Sequence, residues 1–371
     1  MSAVNSALVT SVVSRLGDHA DRWDELVDGL ELPSPFLRSW WVDHAAAAEP
    51  AIVLVTDGGR LLGGLALQRR DFHGVDRLGV LGGGPLAPDH LDIVATDADR
   101  AAVTDAVVAW LRRPGSRIID LDGMAVHSSL VTALAGSQPD RFVSLIEPAP
   151  YVRLPATSAE YLASRPGKSR STISRTDKRL TKAGVTFRVR PAVEVDQALD
   201  TLQSLHDGRW AEESGFLSHW DAFAAAARAG AARGEVVFSE LVAPDGQVIA
   251  TEVDFVVDGH VSFYQAGRLT DHDWRGSGSM LKARIIGAAI DDGAVEFDLL
   301  RGAEPYKTEW AEGQRPLVLV QVAIGLRAKV LLAGSQAWAR LAPWLVAKRA
   351  ELKARSGVAQ SGVARSGRVS E

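Results

Sequence analysis

Residues 236–266, VVFSELVAPDGQVIATEVDFVVDGHVSFYQA, decide the fold class of this chain. Apolar and β-branched runs alternate there with a Pro-Asp-Gly turn and an Asp-Gly turn, which is the pattern of an antiparallel meander. The three predicted strands are Val236–Val242, Val248–Val257 and Val261–Ala266. A helical stretch, Ser279–Asp291, and one more strand, Val295–Leu300, follow and predict a mixed α/β lobe.

The N-terminal half of the chain has the same order of elements. A hairpin turns at Asp57-Gly58-Gly59, and a third strand, a Gly-rich loop, a helix and a strand come after it. The stretch IIDLDG at 118–123 corresponds to EFDLLRG at 296–302, which indicates internal duplication of a unit of about 150 residues. Because any alternating α/β chain can have a similar order, that second interpretation stays open.

The 371 residues are long enough for two such units. We predict an N-terminal lobe at 1–150, a C-terminal lobe at 151–325, a helix at 326–355 and a disordered tail at 356–371. The chain has no cysteine, which excludes disulfides and cysteine nucleophiles, and its net charge of −5 predicts no overall attraction to DNA. Without a recognisable leader or an apolar run long enough to span a bilayer, we expect a cytoplasmic protein.

A glycine-rich loop, Arg275-Gly276-Ser277-Gly278-Ser279, leaves the third strand of the meander and opens the following helix. Glycines let backbone N–H groups approach an anion, and the positive end of the helix dipole adds to the attraction. A phosphate-binding loop is one interpretation. A flexible turn with Ser279 as the N-cap is the other.

Two carboxylates, Glu252 and Asp254, alternate with Thr251, Val253 and Phe255 along the second strand of the meander. Because side chains alternate between the two faces of a strand, the two acids share one face. The other face is apolar and buried, so we expect the acidic face to meet water or a cleft. There the acids are candidate proton carriers or an ordinary solvated surface.

The segment from Arg301 to Trp310 follows a sheet strand directly, where α/β proteins usually carry their sites. It contains a tyrosine, a lysine and two glutamates, which are hydrogen-bonding groups and proton carriers. The same residues fit a helical turn that packs Tyr306 and Trp310 onto the core. A ligand site and a packed turn are both open from the local sequence.

A basic segment, Arg165–Arg190, holds nine Lys or Arg residues and one acid, and the chain from Arg340 onward holds seven basic and two acidic residues. Such segments bind the phosphates of a cofactor, of nucleic acid or of lipid headgroups, or they are solvated faces. The Asp271-His272-Asp273 turn has no distant partner in the pattern, so we expect no metal site.

Taken together, three stretches resemble the CelD-like acyltransferases, a family of the GNAT N-acetyltransferase superfamily that is related to the FemAB peptidyltransferases. They are Leu205–Trp210 (LHDGRW), Phe263–Gly267 (FYQAG) and Phe297–Trp310 (FDLLRGAEPYKTEW). The resemblance is clear over about residues 151–315, and over 1–150 it rests on the duplication and on Pro88–Asp92 (PDHLD). It implies an α/β (α+β) fold of two tandem GNAT-like lobes with mixed, mostly antiparallel central sheets and a C-terminal helix.

In the fold that this resemblance implies, acyl-CoA lies between two splayed parallel strands, here Val261–Ala266 and Val295–Leu300. The implied acyl-CoA-binding residues are Tyr264, Gln265, Ala266, Arg275, Gly276, Ser277, Gly278 and Ser279. The implied substrate-binding residues are His206, Arg209, Trp210, Glu304, Lys307 and Trp310. For catalysis, the resemblance implies Tyr306 as the acid, with Glu252, Asp254 or Asp298 as the base.

The resulting hypothesis is an N-acyltransferase that moves an acetyl or other acyl group directly from CoA to a small-molecule amine. The acceptor that the resemblance suggests is an amino sugar of surface-polysaccharide synthesis. A FemAB-like transferase that uses aminoacyl-tRNA, with Arg165–Arg190 on the RNA, is one alternative. A non-catalytic GNAT pair with its C-terminal helix on a membrane surface is another, since Asp273 stands where the superfamily's phosphate loop has Gln or Arg.

Overall fold

The computed structural model describes residues 8–136, 141–210, 215–302, 304–339 and 341, without the side chains of 141–143 and 207–210. The first half of the chain contains β1 (Val9–Val13), α1 (Ala20–Asp28), α2 (Ser39–Val42), β2 (Glu49–Asp57), β3 (Arg60–Asp71), β4 (Asp76–Val80), β5 (Val94–Ala95), α3 (Arg100–Leu111), β6 (Arg117–Ala125), α4 (Ser129–Gly136) and β7 (Arg141–Leu145). The second half contains β8 (Ala149–Arg153), α5 (Ser158–Ser164), α6 (Gly167–Lys182), β9 (Thr186–Val189), α7 (Val195–Trp210), α8 (Trp220–Ala232), β10 (Val236–Val242), β11 (Val248–Val257), β12 (His260–Arg268), α9 (Ser277–Asp291), β13 (Glu296–Asp298), α10 (Pro305–Trp310), β14 (Gly313–Arg315), β15 (Leu317–Ile324) and α11 (326–339).

The chain that leads into and through the basic segment forms two helices, α5 and α6. Pro166 lacks a backbone N–H and disfavours helical backbone at the residue before it. Arg165 is accordingly extended, with a ψ of 149°, and ends α5. The predicted part of the C-terminal helix beyond 341 and the predicted tail at 356–371 lie outside the described residues.

Two mixed sheets form the centres of the two lobes, and their strand orders match. The N-terminal sheet has the order β1-β2-β3-β4-β6-β15-β7, with β5 added beside β3, and the C-terminal sheet has the order β9-β10-β11-β12-β13-β8-β14. In each sheet one central pair is parallel, β4 with β6 and β12 with β13, and the other neighbours along these orders are antiparallel. This match confirms the tandem architecture that the sequence predicts.

The N-terminal sheet contains one strand from the second half of the chain. β8 follows β7 directly in the chain but pairs with β13 and β14, whereas β15 follows β14 but lies between β6 and β7. The predicted C-terminal lobe at 151–325 is therefore wrong at its end, because Leu317–Ile324 belongs to the N-terminal sheet. An apolar run specifies that a strand is buried, but it does not specify which sheet buries it.

One hydrophobic core extends across both lobes. Phe36 and Trp41, beside and within α2, contact Phe255 of β11 and Tyr264 of β12 at ring-centroid distances between 5.7 and 5.9 Å. The opposite face of the C-terminal sheet, which includes Phe263, packs against α9 in a second core. A large apolar interface of this kind makes the two lobes one unit rather than two hinged domains.

The N-terminal chain fills its own sheet at the place where the parallel strands separate. β5 takes up the position beyond the end of β4, with Ala95 opposite Gly63 of β3. A Cβ on Gly63 would lie 2.0 Å from the carbonyl oxygen of Val94, so only glycine permits this approach. Leu91 forms a parallel bridge with Met124 of β6. The segment before α3 thus closes the gap between β4 and β6.

Candidate active site

The parallel strands of the C-terminal sheet stay open at the corresponding place. β12 and β13 pair only over His260–Ser262 and Glu296–Asp298, and among the described residues no strand pairs with 263–268 on that side. The register between β11 and β12 shifts at this point and leaves Tyr264 as a bulge. Gln265 beside it is only half-buried. The edge of β12 therefore presents backbone N–H and C=O groups where the two strands diverge.

The helix that follows this edge, α9, begins with an uncapped N-terminus. Gly276, with a φ of +81°, is the N-cap residue, so the interpretation of Ser279 as the N-cap is wrong. No side chain caps the helix, and within the described ranges the buried hydroxyl of Ser277 has no hydrogen-bond partner. Ser279 is exposed. Backbone N–H groups and hydroxyls at the positive end of a helix dipole are a donor set that suits phosphate.

The basic helix α6 lies against this loop. Arg179 donates hydrogen bonds to the backbone carbonyl oxygens of Asp273 and Arg275, and Asp177 forms an ion pair with Arg284 of α9. The outward-facing basic residues of α6 are exposed, namely Arg175, Lys178 and Lys182. The predicted basic segment and the predicted phosphate loop are therefore one surface of the molecule.

The predicted carboxylate pair does not meet water or a cleft. Glu252 and Asp254 are buried beneath α9, where Lys282 Nζ lies 2.7 Å from Glu252 Oε1 and 3.4 Å from the centroid of the Phe263 ring. Burial raises the pKa of Glu252 despite the attraction of Lys282. Burial and the charge of Glu252 raise the pKa of Asp254 well above its ordinary value. The expectation fails because α9 covers the acidic face of β11 while the shared core covers the other face.

Asp298 points the opposite way, toward the N-terminal lobe. His90 Nε2 lies 3.0 Å from Asp298 Oδ2, the backbone N–H of Leu300 donates to Oδ1 at 2.7 Å, and Arg315 lies 3.3 Å from Oδ2. Burial alone would raise the pKa of Asp298, but these partners hold that pKa below its usual value. Burial alone would lower the pKa of His90, but the charges of Asp298 and Asp89 raise it. A titratable imidazole thus sits at the end of β13.

Arg301 ties the end of β13 to the same loop of the N-terminal lobe. Its backbone N–H donates to Asp89 Oδ2 at 2.6 Å, and its guanidinium bonds to Asp89, to Asp122 at 3.0 Å and to the carbonyl oxygen of Pro88 at 2.8 Å. Burial raises the pKa of Asp89 against the attraction of Arg301. These bonds hold the loop that contains His90 over the open end of the C-terminal sheet.

The remaining residues of the predicted 301–310 segment divide between core and surface. Lys307 is buried, donates to the carbonyl oxygen of Arg301 and lies 3.3 Å from Glu304, and burial lowers its pKa. Trp310 packs in the core beneath α9, as the packed-turn interpretation predicts, whereas Tyr306 and Glu304 are exposed. Among the implied substrate-binding residues, Lys307 and Trp310 are therefore engaged within the protein.

Two other implied ligand residues direct their side chains into the shared core. Tyr264 stacks on Phe255 with ring centroids 4.7 Å apart, and its hydroxyl donates to the carbonyl oxygen of Leu86 at 2.9 Å. His206 is buried with its ring 5.2 Å from that of Phe216. At the open edge of β12, Tyr264 presents its backbone N–H and C=O groups and not its side chain. The side chains of Arg209 and Trp210 lie outside the described residues.

Reasoning from the sequence used the stretch Pro88–Asp92 only for the resemblance of the N-terminal half and gave His90 and Asp89 no role. Their signal is the run PDHLD at 88–92, a histidine among acids in a loop that follows glycines. A second signal is visible only in the backbone, since Ala87, His90 and Leu300 are non-glycine residues with positive φ values of 43°, 56° and 53°. Such conformations persist where the surrounding structure enforces them, and they concentrate at functional sites.

A family model described as the acetyltransferase (GNAT) domain matches residues 167–308. The match runs from α6 to α10, so the matched residues include the open edge of β12, the loop before α9 and Asp298. No curated protein matches the sequence of the chain.

Several solved structures share the two-lobe fold at low sequence identity. FemX is 10% identical and aligns over 84% of this chain and 96% of its own, with a TM-score of 0.57. L-PGS from Bacillus licheniformis is 12% identical over 79% of this chain and 93% of its own, with a TM-score of 0.55. A tandem GNAT protein from the clavulanic acid biosynthesis pathway is 13% identical over 86% and 99%, with a TM-score of 0.50. These likenesses show the fold alone, which this chain shares with a tandem GNAT protein.

Proposed function

We propose that this chain is a CelD-like, acyl-CoA-dependent N-acyltransferase whose donor site lies in the GNAT domain. The observation that carries the proposal is the open edge of β12 followed by the uncapped N-terminus of α9. The backbone near Tyr264–Ala266 offers N–H groups to the thioester carbonyl, an oxyanion-type interaction. The loop Gly276–Ser279 offers donors to the pyrophosphate, and α6 adds positive charge beside it.

The acceptor amine reaches the thioester, in this proposal, from the side of the sheet that faces the N-terminal lobe. A free alkyl amine has a pKa of about 10.4 and is mostly protonated near neutral pH, so a base has to remove a proton as nitrogen attacks. His90 is the base that fits this role. Its Nε2 faces Asp298, which leaves Nδ1 for the amine and a carboxylate to stabilise the imidazolium. Glu252 and Asp254 do not fit the role because they are buried under α9.

The departing thiolate of CoA takes up a proton while the carbon–nitrogen bond replaces the carbon–sulfur bond. Tyr306 is the proposed acid, since its phenol is exposed on the helix that follows β13. The transfer is direct, because the chain has no cysteine to carry the acyl group. An amino sugar of surface-polysaccharide synthesis is the proposed acceptor, on the resemblance of residues 297–310 to the CelD-like family.

Thermal unfolding with a panel of CoA esters tests the donor site. Acetyl-CoA or a longer acyl-CoA is expected to raise the melting temperature, because a ligand that binds only the native state stabilises it. Ser279→Asp is expected to abolish the shift by repelling phosphate, while an acid in the first turn keeps α9 stable. Ser279→Asn is the matched neutral control and is expected to keep the shift. If no CoA ester raises the melting temperature, the donor proposal is wrong, and binding of tRNA then decides between the two alternatives.

The exposed basic side of α6 favours one second candidate, a FemX-like transferase that takes its acyl group from aminoacyl-tRNA. Arg175, Lys178 and Lys182 would then contact RNA phosphates. If this candidate is right, the wild-type chain binds tRNA, salt weakens that binding, and reversing these three charges abolishes it. Acetyl-CoA then has little or no effect on the melting temperature of the wild type or the variant. Binding of CoA esters without binding of tRNA would reject this candidate.

A further inference from the structure

The helix α11 packs on the N-terminal sheet through one side only. Ala328 and Leu332 are buried against Val75, Ile118 and Ala323 on the face of the sheet opposite the shared core. Polar contacts secure both ends of this side, with Arg327 donating to the carbonyl oxygen of His73 and Gln336 donating to Gln321. The orientation of the helix about its own axis is therefore set.

The opposite side of α11 is an exposed apolar stripe. At about 100° per residue, positions 326, 330, 333, 337 and 341 fall within roughly 80° of one another and face away from Ala328 and Leu332. Leu326 is 79% exposed, Val330 is 65% exposed and Leu341 is 54% exposed, and Trp338 at the flank of the stripe is 65% exposed. Exposed apolar side chains grouped on one surface mark an interaction site.

The sequence that follows the stripe indicates its occupant. Residues 340–355, RLAPWLVAKRAELKAR, hold five basic residues and one acid, which is a net charge of +4, beside further apolar residues and Trp344. Apolar side chains, tryptophan and lysine or arginine in one short segment are the composition of peptides that bind an anionic bilayer surface. An acidic protein partner would explain the charge but not the exposed Trp338 beside the stripe.

We propose that α11 docks this protein onto a membrane surface rich in anionic phospholipid. The apolar stripe enters the headgroup region, and the positive charge of the sequence after α11 favours an anionic surface. In the described part of the chain no helix combines the length and apolar character needed to cross a bilayer, so the attachment is peripheral. Because the stripe faces away from the N-terminal sheet, docking leaves the lobe interface and the GNAT domain uncovered. The proposal does not depend on the transferase activity.

Co-sedimentation of the full chain with vesicles tests the proposal. The protein is expected to bind vesicles of equal parts phosphatidylglycerol and phosphatidylcholine, to bind phosphatidylcholine alone at least tenfold more weakly, and to dissociate as salt rises. Leu326→Glu with Val330→Glu is expected to abolish binding. Val193→Glu is the control, since Val193 is 92% exposed on the other lobe and the change of charge is the same in kind. Both variants should melt within a few degrees of the wild type because the substituted side chains are exposed.

Three results would overturn the proposal. The first is an absence of binding to anionic vesicles by the wild-type chain. The second is binding that the Leu326→Glu, Val330→Glu variant retains, because the stripe would then not be the contact. The third is a concentration-dependent dimer, measured by light scattering without vesicles, that the same variant dissociates; the stripe would then belong to a second copy of the chain.

Discussion

His90 Nε2 lies 3.0 Å from Asp298 Oδ2, so a loop of the N-terminal lobe supplies an imidazole to the strand end at which the GNAT domain opens. Both residues are buried, and His90 has a left-handed backbone with a φ of +56°. The N-terminal lobe therefore contributes a titratable group to the candidate site of the other lobe.

The stability that His90 contributes should depend on pH. The pKa of His90 is raised in the native state, so its contribution is complete below the unfolded value of about 6.5 and is lost as pH rises through the native pKa. Asp298, with its lowered pKa, stays ionised throughout this window. The difference in unfolding free energy between wild type and His90→Gln should therefore be larger at pH 5.5 than at pH 9 in urea titrations. His272→Gln, at an exposed site, is the control, and a difference independent of pH would contradict the assignment.

Replacing Arg301 with an apolar residue should strongly lower the free energy of unfolding. Arg301→Met would leave Asp89 buried without its cation, and breaking a buried pair in this way costs about 3–5 kcal/mol. Adding Asp89→Asn in the same chain should recover part of that loss, because the orphaned charge is removed. Urea unfolding of both single variants and the double variant measures the coupling. Additive losses would mean that the bond between Arg301 and Asp89 contributes nothing specific.

Replacing Asp254, which is buried beneath α9, with Asn should change how the free energy of unfolding depends on pH. A carboxyl group whose native pKa is raised holds its proton more tightly when folded, so the wild type loses stability as pH rises from about 4 through that native pKa. The variant has no such proton, so its unfolding free energy should fall less steeply and exceed that of the wild type near pH 8. Asp200→Asn, at an exposed position of α7, is the control. Parallel curves for Asp254→Asn and wild type would contradict the raised pKa.

Strand β15, which the second half of the chain supplies to the N-terminal sheet, should make the first half dependent on the second. A fragment of residues 1–147 lacks β15, so it should not fold alone, and amide hydrogens of β6 should exchange freely. Mixing it with residues 148–371 should restore protection of β6, because that fragment supplies β15. Residues 148–316, which lack β15, are the matched control and should not restore it. Protection of β6 in the isolated N-terminal fragment would refute the dependence.

The local pattern of the sequence specifies which elements form. The meander at 236–266, the parallel pair that follows it and the repeat of that order in the first half all rest on period-two apolar runs and glycine turns. The loop Gly276–Ser279 can also be recognised in the sequence, since its glycines and serines come just before a helical run. These features depend on neighbours within a few residues, which is the range over which propensity and periodicity act.

Contacts between distant segments decided the rest. Glu252 and Asp254 share a strand face as alternation requires, but only the packing of α9 determines that this face is buried with Lys282. Leu317–Ile324 is plainly an apolar strand, yet only the competition between two similar sheets determines that it joins the first.

His90 meets Asp298 because the chain from Pro88 to Asp92 crosses the lobe interface, where its partners hold a strained backbone in place. The sequence by itself thus determined the strands, the turns and the tandem GNAT plan of this protein. The tertiary structure alone decided which acid faces which lobe, since burial and pairing are properties of surfaces that meet only after folding.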